Sequence, residues 1–329
     1  MVDWKLRKLN EQDIEDLFNW RKLVARREKT MQYFMWEYLS APWGPVETWV
    51  ADYNDEIIGQ YSSQRYEAFF FGKKIMASLS FDTGTHPDFR RQGIFASLGN
   101  HFFLEEGKHN IHFSTGFPNE NFWPGGKKFG WKDLSPVPLY VNSSFNELNI
   151  KKSHRFEFEE IEKFDDKFKE FSASFKDEIP IYLNRTKDYL NWRFTEKPSL
   201  KNPKYHYNYS KYKIYDKKGE LLSYIVTKIF QEEHTKTLHL VDFLAHNNES
   251  LYNDILEFLV QTAKSLKIDT ISLYVNKYQP FCKFLERKGF NFTDTNRVYI
   301  IRTNNNYLDE DILFEERNHY ITMADSDVI

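Results

Sequence analysis

The sequence predicts an α/β fold: mixed, mostly antiparallel central sheets flanked by helices, arranged as two similar units in tandem. Three observations carry this. Alternating apolar–polar runs joined by Asn-, Asp- or Gly-containing turns recur as hairpins in both halves. Each half then sets one amphipathic helical run between two β-prone runs. Each half closes on a glycine–aromatic pair, Gly130-Trp131 in the first and Gly289-Phe290 in the second.

In the first half, Lys5 to Leu9 reads as a short strand, and Glu11 to Arg26 as an amphipathic helix with Asn10 as its N-cap. Thr48 to Tyr53 and Ile57 to Ser63 alternate around Asn54-Asp55-Glu56, a hairpin signal. Phe69 to Phe71 and Ile75 to Phe81 continue the sheet around Gly72-Lys73-Lys74. A helix from Phe95 to Glu106 and a strand from Ile111 to Thr115 follow, and Gly116 to Trp131 completes the unit.

The second half repeats this order. Tyr212 to Tyr215 and Leu221 to Phe230 flank the turn Asp216-Lys217-Lys218-Gly219, and Thr237 to Leu244 is a strand. Glu249 to Leu266 places Leu251, Ile255, Leu259 and Ala263 at helical spacing. Thr270 to Val275 reads as a strand, Phe281 to Lys288 as a helix, and Asn291 to Arg302 as the last strand. Between the halves lies a charged, aromatic stretch from Pro136 to Pro203. The expected division is therefore 1–140, a connecting segment 141–204, and 205–329.

Composition narrows the function. The 329 residues suit two domains, and 41% hydrophobic with 28% charged residues is a globular balance. A net charge of -3 supplies no field for a polyanion, which argues against nucleic acid as the main partner. No apolar run approaches the roughly 20 residues that span a bilayer. The start of the chain, Met1 to Lys8, lacks the apolar centre of a signal peptide, and the lone Cys282 permits no internal disulfide; together these point to the cytoplasm. No two-histidine spacing suggests a metal, and no Gly-x-Ser-x-Gly or Walker loop is present. His86 and His112 read as structural.

One stretch carries chemistry. Thr85-His86-Pro87-Asp88-Phe89-Arg90-Arg91-Gln92-Gly93-Ile94-Phe95 links a β-prone run to a helical one. Backbone N–H groups at a helix N-terminus converge with partial positive charge, which makes a phosphate cradle. Gly93 lets the backbone approach a ligand closely, and Arg90 and Arg91 add full charge at the rim.

Residues 87–95 resemble the pyrophosphate-binding turn of the GNAT N-acetyltransferases, Arg/Gln-x-x-Gly-x-Gly/Ala, with Arg90 and Gly93 in the first two fixed positions. Phe95 replaces the small third residue, a departure expected to crowd the turn or alter the helix entry. Phe284 to Phe290 resembles that family's late helix, so the second unit resembles the GNAT core as well. Its own strand-to-helix junction, Leu244 to Glu249, has no Arg-x-x-Gly and no glycine. The resemblance thus implies one cradle, in the first unit, and a non-catalytic second unit.

What the resemblance implies can be stated by residue. Acetyl-CoA is the co-substrate and a small primary amine the acceptor. The backbone of Thr83, Gly84 and Thr85 binds the pantetheine, with Gly84 at a strand bulge, and Arg90, Arg91, Gln92, Gly93, Ile94 and Phe95 hold the pyrophosphate. Gly116-Phe117-Pro118-Asn119-Glu120-Asn121 resembles a run in acetyltransferase-like proteins linked to surface-sugar modification, which implies an amino sugar or sugar nucleotide as acceptor. Asn119 is the candidate for the cofactor's amide arm and Glu120 for the general base, with Asp82 its rival. The tyrosine that often protonates the leaving thiolate has no counterpart in Trp123 to Trp131.

Two other functions fit the same residues: an acyl-CoA sensor without turnover, and aminoacyl transfer to a cell-wall precursor. The intact turn and the lack of basic excess favour the acetyltransferase. Tyr189 to Phe194 resembles a run that opens the second domain of tandem acetyltransferase-like proteins; on composition, Trp192 reads as core and Arg193 as paired with a carboxylate. The tail, with Asp325 and Asp327, is a candidate to reach the acceptor.

Overall fold

The structure, a computed structural model, describes residues 3–25, 29–137, 139–148, 150, 153, 155–199, 208–293, 295 and 297–326. Arg26 at the expected helix end, the expected boundary at positions 204 and 205, and Asp327 lie outside the described residues.

The first sheet grows from tight turns. Strand β1 (Lys5–Lys8) leads to Asn10, whose side chain accepts from the Gln12 and Asp13 N–H groups in a capping box. That turn runs directly into helix α1 (Ile14–Ala25). Helix α2 (Met31–Leu39), capped by Thr30, has no counterpart in the sequence reading. Its residues are nearly all apolar or aromatic, so no polar face marks the period.

Strands β2 (Glu47–Tyr53) and β3 (Glu56–Phe70) meet at Asn54 and Asp55, both left-handed with φ of 53° and 65°, as a type I′ hairpin requires. The runs read as Ile57–Ser63 and Phe69–Phe71 are one continuous strand, β3. A second left-handed pair, Phe71 and Gly72, leads into β4 (Lys73–Thr85). Helix α3 (Ile94–Lys108) crosses over to β5 (Ile111–Gly116), which lies parallel to β4. Helix α4 (Trp123–Gly126) and β6 (Lys132–Pro136) follow.

The later elements are β7 (Leu139–Asn142), β8 (Phe156–Ile161), β9 (Ile181–Leu183), α5 (Lys187–Phe194), β10 (Tyr209–Asp216), β11 (Leu221–Glu232) and β12 (Thr235–Ala245). Then come α6 (Glu249–Ser265), β13 (Thr270–Tyr274), α7 (Pro280–Arg287), β14 (Asn291–Thr293), β15 (Val298–Thr303) and α8 (Glu310–Leu313). The first sheet has the order β1-β2-β3-β4-β5-β15-β6, with β9 pairing β3 off this path. The second has the order β8-β10-β11-β12-β13-β7-β14.

The two orders correspond strand by strand, with an exchange. β7, which follows the first half, sits in the second sheet between β13 and β14. β15, which follows the second half, sits in the first sheet between β5 and β6, pairing Ile300 with Gly116 and Thr303 with Phe113. The stretch read as one strand, Asn291 to Arg302, is therefore two strands in different sheets. Thr295 lies between them, and positions 294 and 296 are outside the described residues. The compact units are accordingly discontinuous: Met1–Ala68, Lys74–Ser135 and Arg297–Glu316 form one, and Phe69–Lys73, Pro136–Asn296 and Arg317–Ile329 the other.

In the first unit the sheet is covered on both faces. Ala51, Ile58 and Tyr61 pack with Ile94, Leu98, Phe102 and Phe103 of α3, together with Phe129, Trp131 and Ile300. Their sequence neighbours Val50 and Ile57 face the other way, with Leu17, Phe18, Trp20, Phe34, Tyr38 and Phe81 under α1 and α2. Among the described residues no helix is long and apolar enough to cross a membrane.

Because β15 belongs to the first core, Ile300→Ala, at a side chain 1% exposed, is expected to destabilise by about 2–5 kcal/mol. Urea denaturation of the two proteins, read by tryptophan fluorescence, checks this; an unchanged midpoint would contradict the placement of β15.

Candidate active site

The turn from Thr85 to Phe95 lies wholly in the first unit. β4 ends at Thr85, and His86 N donates to Ile58 O at 2.8 Å, anchoring the exit of the strand. A 3-10 turn over Pro87–Phe89 leads to Arg91 and Gly93, both left-handed with φ of 62° and 81°. Two left-handed residues flanking Gln92 fold the backbone into a concavity of the kind that binds anions. Gly93 is the N-cap of α3 and makes no side-chain cap hydrogen bond. A Cβ built on Gly93 would meet nothing within 4 Å, so the space over the helix end is open. Arg90 and Arg91 are exposed, Gln92 is half-buried, and Arg90 Nε lies 3.5 Å from Thr85 O.

Phe95 does not lie over this concavity. Its ring packs edge-on to Phe122 and Phe129 at 5.5 and 5.4 Å between centroids. Space for it comes from Gly125, where a Cβ would sit 2.4 Å from the ring. Gly126 makes the same room for Phe122, at 2.5 Å. The Gly125-Gly126 pair of α4 is thus the complement of the large residue at position 95.

The left-handed residue in β4 is Asp82, with φ of 48°, where the sequence reading put the bulge at Gly84. Gly84 instead makes room for α1: a Cβ there would lie 3.2 Å from Val24 and 3.4 Å from Trp20. Thr83, Gly84 and Thr85 are half-buried, and Thr85 Oγ1 is a buried oxygen with no hydrogen-bond partner among the described residues.

The Asp82 carboxylate is already engaged. It pairs with Arg21, accepts from the Tyr38 hydroxyl at 3.2 Å, and lies 4.0 Å from Lys29 Nζ. Burial works against the Arg21 cation, yet the carboxylates of Asp82 and Glu37 beside it outweigh that and raise its pKa. Burial also pushes the Tyr38 hydroxyl well above its usual range. A carboxylate held by a persistent cation is a poor proton acceptor.

Asn119 and Glu120 lie on the exposed turn after β5. Asn119 Oδ1 accepts from the Asn121 and Phe122 N–H groups, both at 3.0 Å, which engages its acceptor in closing the turn. Glu120 makes no ion pair among the described residues. No tyrosine stands in α4 or its extension. Tyr61 OH, in the core beneath, accepts from Ser80 Oγ at 3.2 Å and Trp131 Nε1 at 3.3 Å.

The equivalent junction of the second unit is capped. α6 likewise crosses between parallel strands, β12 and β13. Its N-cap Asn248 accepts from the Ser250 and Leu251 N–H groups. Glu178 places its carboxylate 2.5 Å from His246 Nδ1 and accepts from Asn247 N at 3.3 Å. Glu249 adds a second carboxylate, 3.2 Å from Arg287. Where α3 presents uncapped N–H groups and arginines, α6 presents a capped end and acids.

In the same unit the tail is anchored. Asp325 pairs with the fully buried Arg185 at 2.8 Å, Arg185 also holds Asp242 at 3.1 Å, and Thr322 donates to Asp242 at 2.7 Å. Trp192 is core, as expected, and Arg193 donates to the Ser326 carbonyl. Among the described residues no group of His, Cys, Asp and Glu is placed to hold a metal.

Residues 5–133 match the family model described as an acetyltransferase (GNAT) domain. Among solved structures, the chain is similar to a GCN5-related N-acetyltransferase from Anabaena variabilis ATCC 29413, at 15% identity and TM-score 0.74, over 92% of this chain and 73% of that one. It is similar to a probable N-acyltransferase of unknown function from Enterococcus faecalis V583, at 11% identity and TM-score 0.71, over 92% and 73%. A tandem GNAT protein from the clavulanic acid biosynthesis pathway aligns at 11% identity and TM-score 0.54, over 92% of this chain and 99% of that one. These likenesses show the fold. No curated protein matches.

Gly125→Ala tests the seat of Phe95. A methyl at 2.4 Å from the ring must displace it, with an expected cost of about 1–3 kcal/mol by urea denaturation. A companion Gly125→Ala/Phe95→Leu variant is expected to recover part of that loss; no recovery would mean that the ring is not what the glycine accommodates.

Proposed function

We propose that the first unit, whose residues 5–133 match the acetyltransferase (GNAT) domain model, transfers the acetyl group of acetyl-CoA to a small primary amine, with an amino sugar or sugar nucleotide as the acceptor. The observation that carries this is the uncapped N-terminus of α3, opened by left-handed Gly93 and rimmed by Arg90 and Arg91. Such an end favours a pyrophosphate by dipole, by N–H donation and by charge.

The residues present fit the cofactor. The N–H groups from Gln92 to Phe95 take the pyrophosphate oxygens, with the guanidinium groups of Arg90 and Arg91 alongside. The β4 backbone at Thr83, Gly84 and Thr85 takes the pantetheine arm, next to the orphaned Thr85 Oγ1. Bound acetyl-CoA supplies the activated thioester. The Asn119 amide nitrogen remains a donor for the arm, since only its oxygen closes the turn.

Glu120 is the general base of this proposal. It is exposed and outside the ion pairs of the described residues, whereas Asp82 is held by Arg21. Its part is to take the ammonium proton, so that the amine arrives with a free lone pair. We read the second unit as non-catalytic, a reading supported by the Asn248 cap on α6 and by the carboxylates of Glu178 and Glu249 at that junction.

Titration calorimetry is expected to find one acetyl-CoA per chain; two equal sites would overturn the reading of the second unit. Gly93→Asp is expected to abolish binding with the fold retained, and Gly93→Asn, which tolerates the left-handed backbone, to keep most of it. If Gly93→Asp binds like the parent, the cradle is elsewhere.

Thiol release over a panel of amines tests the acceptor, with amino sugars and their nucleotides expected as the best substrates. Binding without turnover on any amine would make the chain a sensor. Glu120→Gln is expected to lower kcat about 100-fold or more with acetyl-CoA affinity unchanged. Unchanged kcat would remove Glu120 from the mechanism.

A further inference from the structure

Asp82 stands near the end of β4, three residues before Thr85, with a left-handed backbone, φ 48°. L-residues adopt that conformation rarely, and it persists only where the surroundings hold it. Here they hold it from two helices. Arg21 of α1 pairs with the Asp82 carboxylate, and the two side chains are 6% and 9% exposed. Tyr38 of α2 donates its hydroxyl hydrogen to the same carboxylate at 3.2 Å and in turn accepts from Gln60 Nε2 at 2.6 Å.

Glu37 lies 3.5 Å from Arg21, and Lys29 lies 2.6 Å from Glu37. Among the described residues, the cations Arg21 and Lys29 and the carboxylates Asp82 and Glu37 pair with one another in one cluster. Two residues further along, Gly84 brings the strand against Val24 and Trp20 of the same helix α1.

We infer that Arg21 and Tyr38 are positioning residues for the acetyl-CoA site: through Asp82 they clamp the turn in β4 that aims the backbone of Thr83, Gly84 and Thr85. The inference rests on the reading of the first unit as the acetyl-CoA site. Hydrogen bonds from a strand to a ligand need donors and acceptors held to a fraction of an ångström. The β4–β5 pairing runs only to Leu79 opposite Thr115, so the end of β4 lacks that neighbour to fix it. The clamp on α1 and α2 adds to the restraint that remains from β3, whose Ile58 O accepts from His86 N at 2.8 Å. Asp82 therefore acts on the backbone of its own strand and is no base.

The experiment measures acetyl-CoA affinity by calorimetry in the parent, Asp82→Asn, Arg21→Leu, the double variant and Arg21→Lys. Both single variants are expected to weaken acetyl-CoA about 10- to 100-fold. The double variant is expected to be no worse than either single one, since one clamp is broken in each. Arg21→Lys, which keeps a cation, is expected to recover most of the affinity. Residual activity of Asp82→Asn should keep the parent's acidic pH limb.

A folded Asp82→Asn that binds acetyl-CoA like the parent but has lost kcat and that limb would overturn the inference and make Asp82 the base. Hydrogen exchange on the parent keeps the test independent of how the variants fold. Acetyl-CoA is expected to slow exchange in α1 together with residues 80–85; protection confined to residues 80–95 would overturn the clamp. A parent that binds no acetyl-CoA would remove the first-unit reading itself, whereas a binding parent with unaffected variants would remove only the clamp.

Discussion

The pairing of β5 with β15, and of β13 with β7, is the constraint on which both units depend. Without β15, β5 would present a row of unpaired N–H and C=O groups beside the proposed site, and an open edge also invites pairing with another chain. The strand that closes the first sheet arrives only after the second half of the chain, and the strand that enters the second sheet arrives immediately after the first. Neither sheet is completed by one contiguous stretch. Ile300 shows the energetic side of this: it is fully part of the core under α3 although nearly 200 residues of sequence separate it from Phe102 and Phe103.

Within that frame, one supersecondary element is built twice and used differently. β4-α3-β5 and β12-α6-β13 are both a strand, a junction and a helix crossing to a parallel strand. What differs is the chemistry at the helix start. Gly93 offers no side-chain cap to the donors of the first turn, and Arg90 and Arg91 precede it. Asn248 accepts from two N–H groups of the first turn of α6, and Glu178 and Glu249 place carboxylates at the same junction. The fold makes the place available; side chains at a few positions decide whether a phosphate can use it.

Polar residues that look reactive in the sequence divide along the same line. Asp82 has the residue type of a base and the surroundings of a tether, because Arg21 and Tyr38 reach it from helices far away in sequence. Asn119 has half of its side chain committed to its own turn. Phe95 departs from the pattern of the turn it ends, yet the departure is absorbed elsewhere, by two consecutive glycines that admit two aromatic rings.

The sequence by itself determined the local features. The Asn10 cap, the left-handed turn at Asn54-Asp55, the helices at α3, α6 and α7, and the glycine-containing turn at 90–95 all follow from residues close together in the chain, whose backbone preferences need no distant partner. The absence of an Arg-x-x-Gly at Leu244 to Glu249 was legible for the same reason. Tertiary structure decided the rest. Helix α2 carries no periodic polar face, so only burial of Tyr33, Phe34 and Trp36 gives it a position. The split of β14 from β15, the residue that bears the left-handed turn in β4, and the role of Asp82 depend on which partners a side chain or a strand meets across long sequence separations. Those partners are selected by packing and by the need to pair every buried charge and edge, and no local pattern encodes that selection.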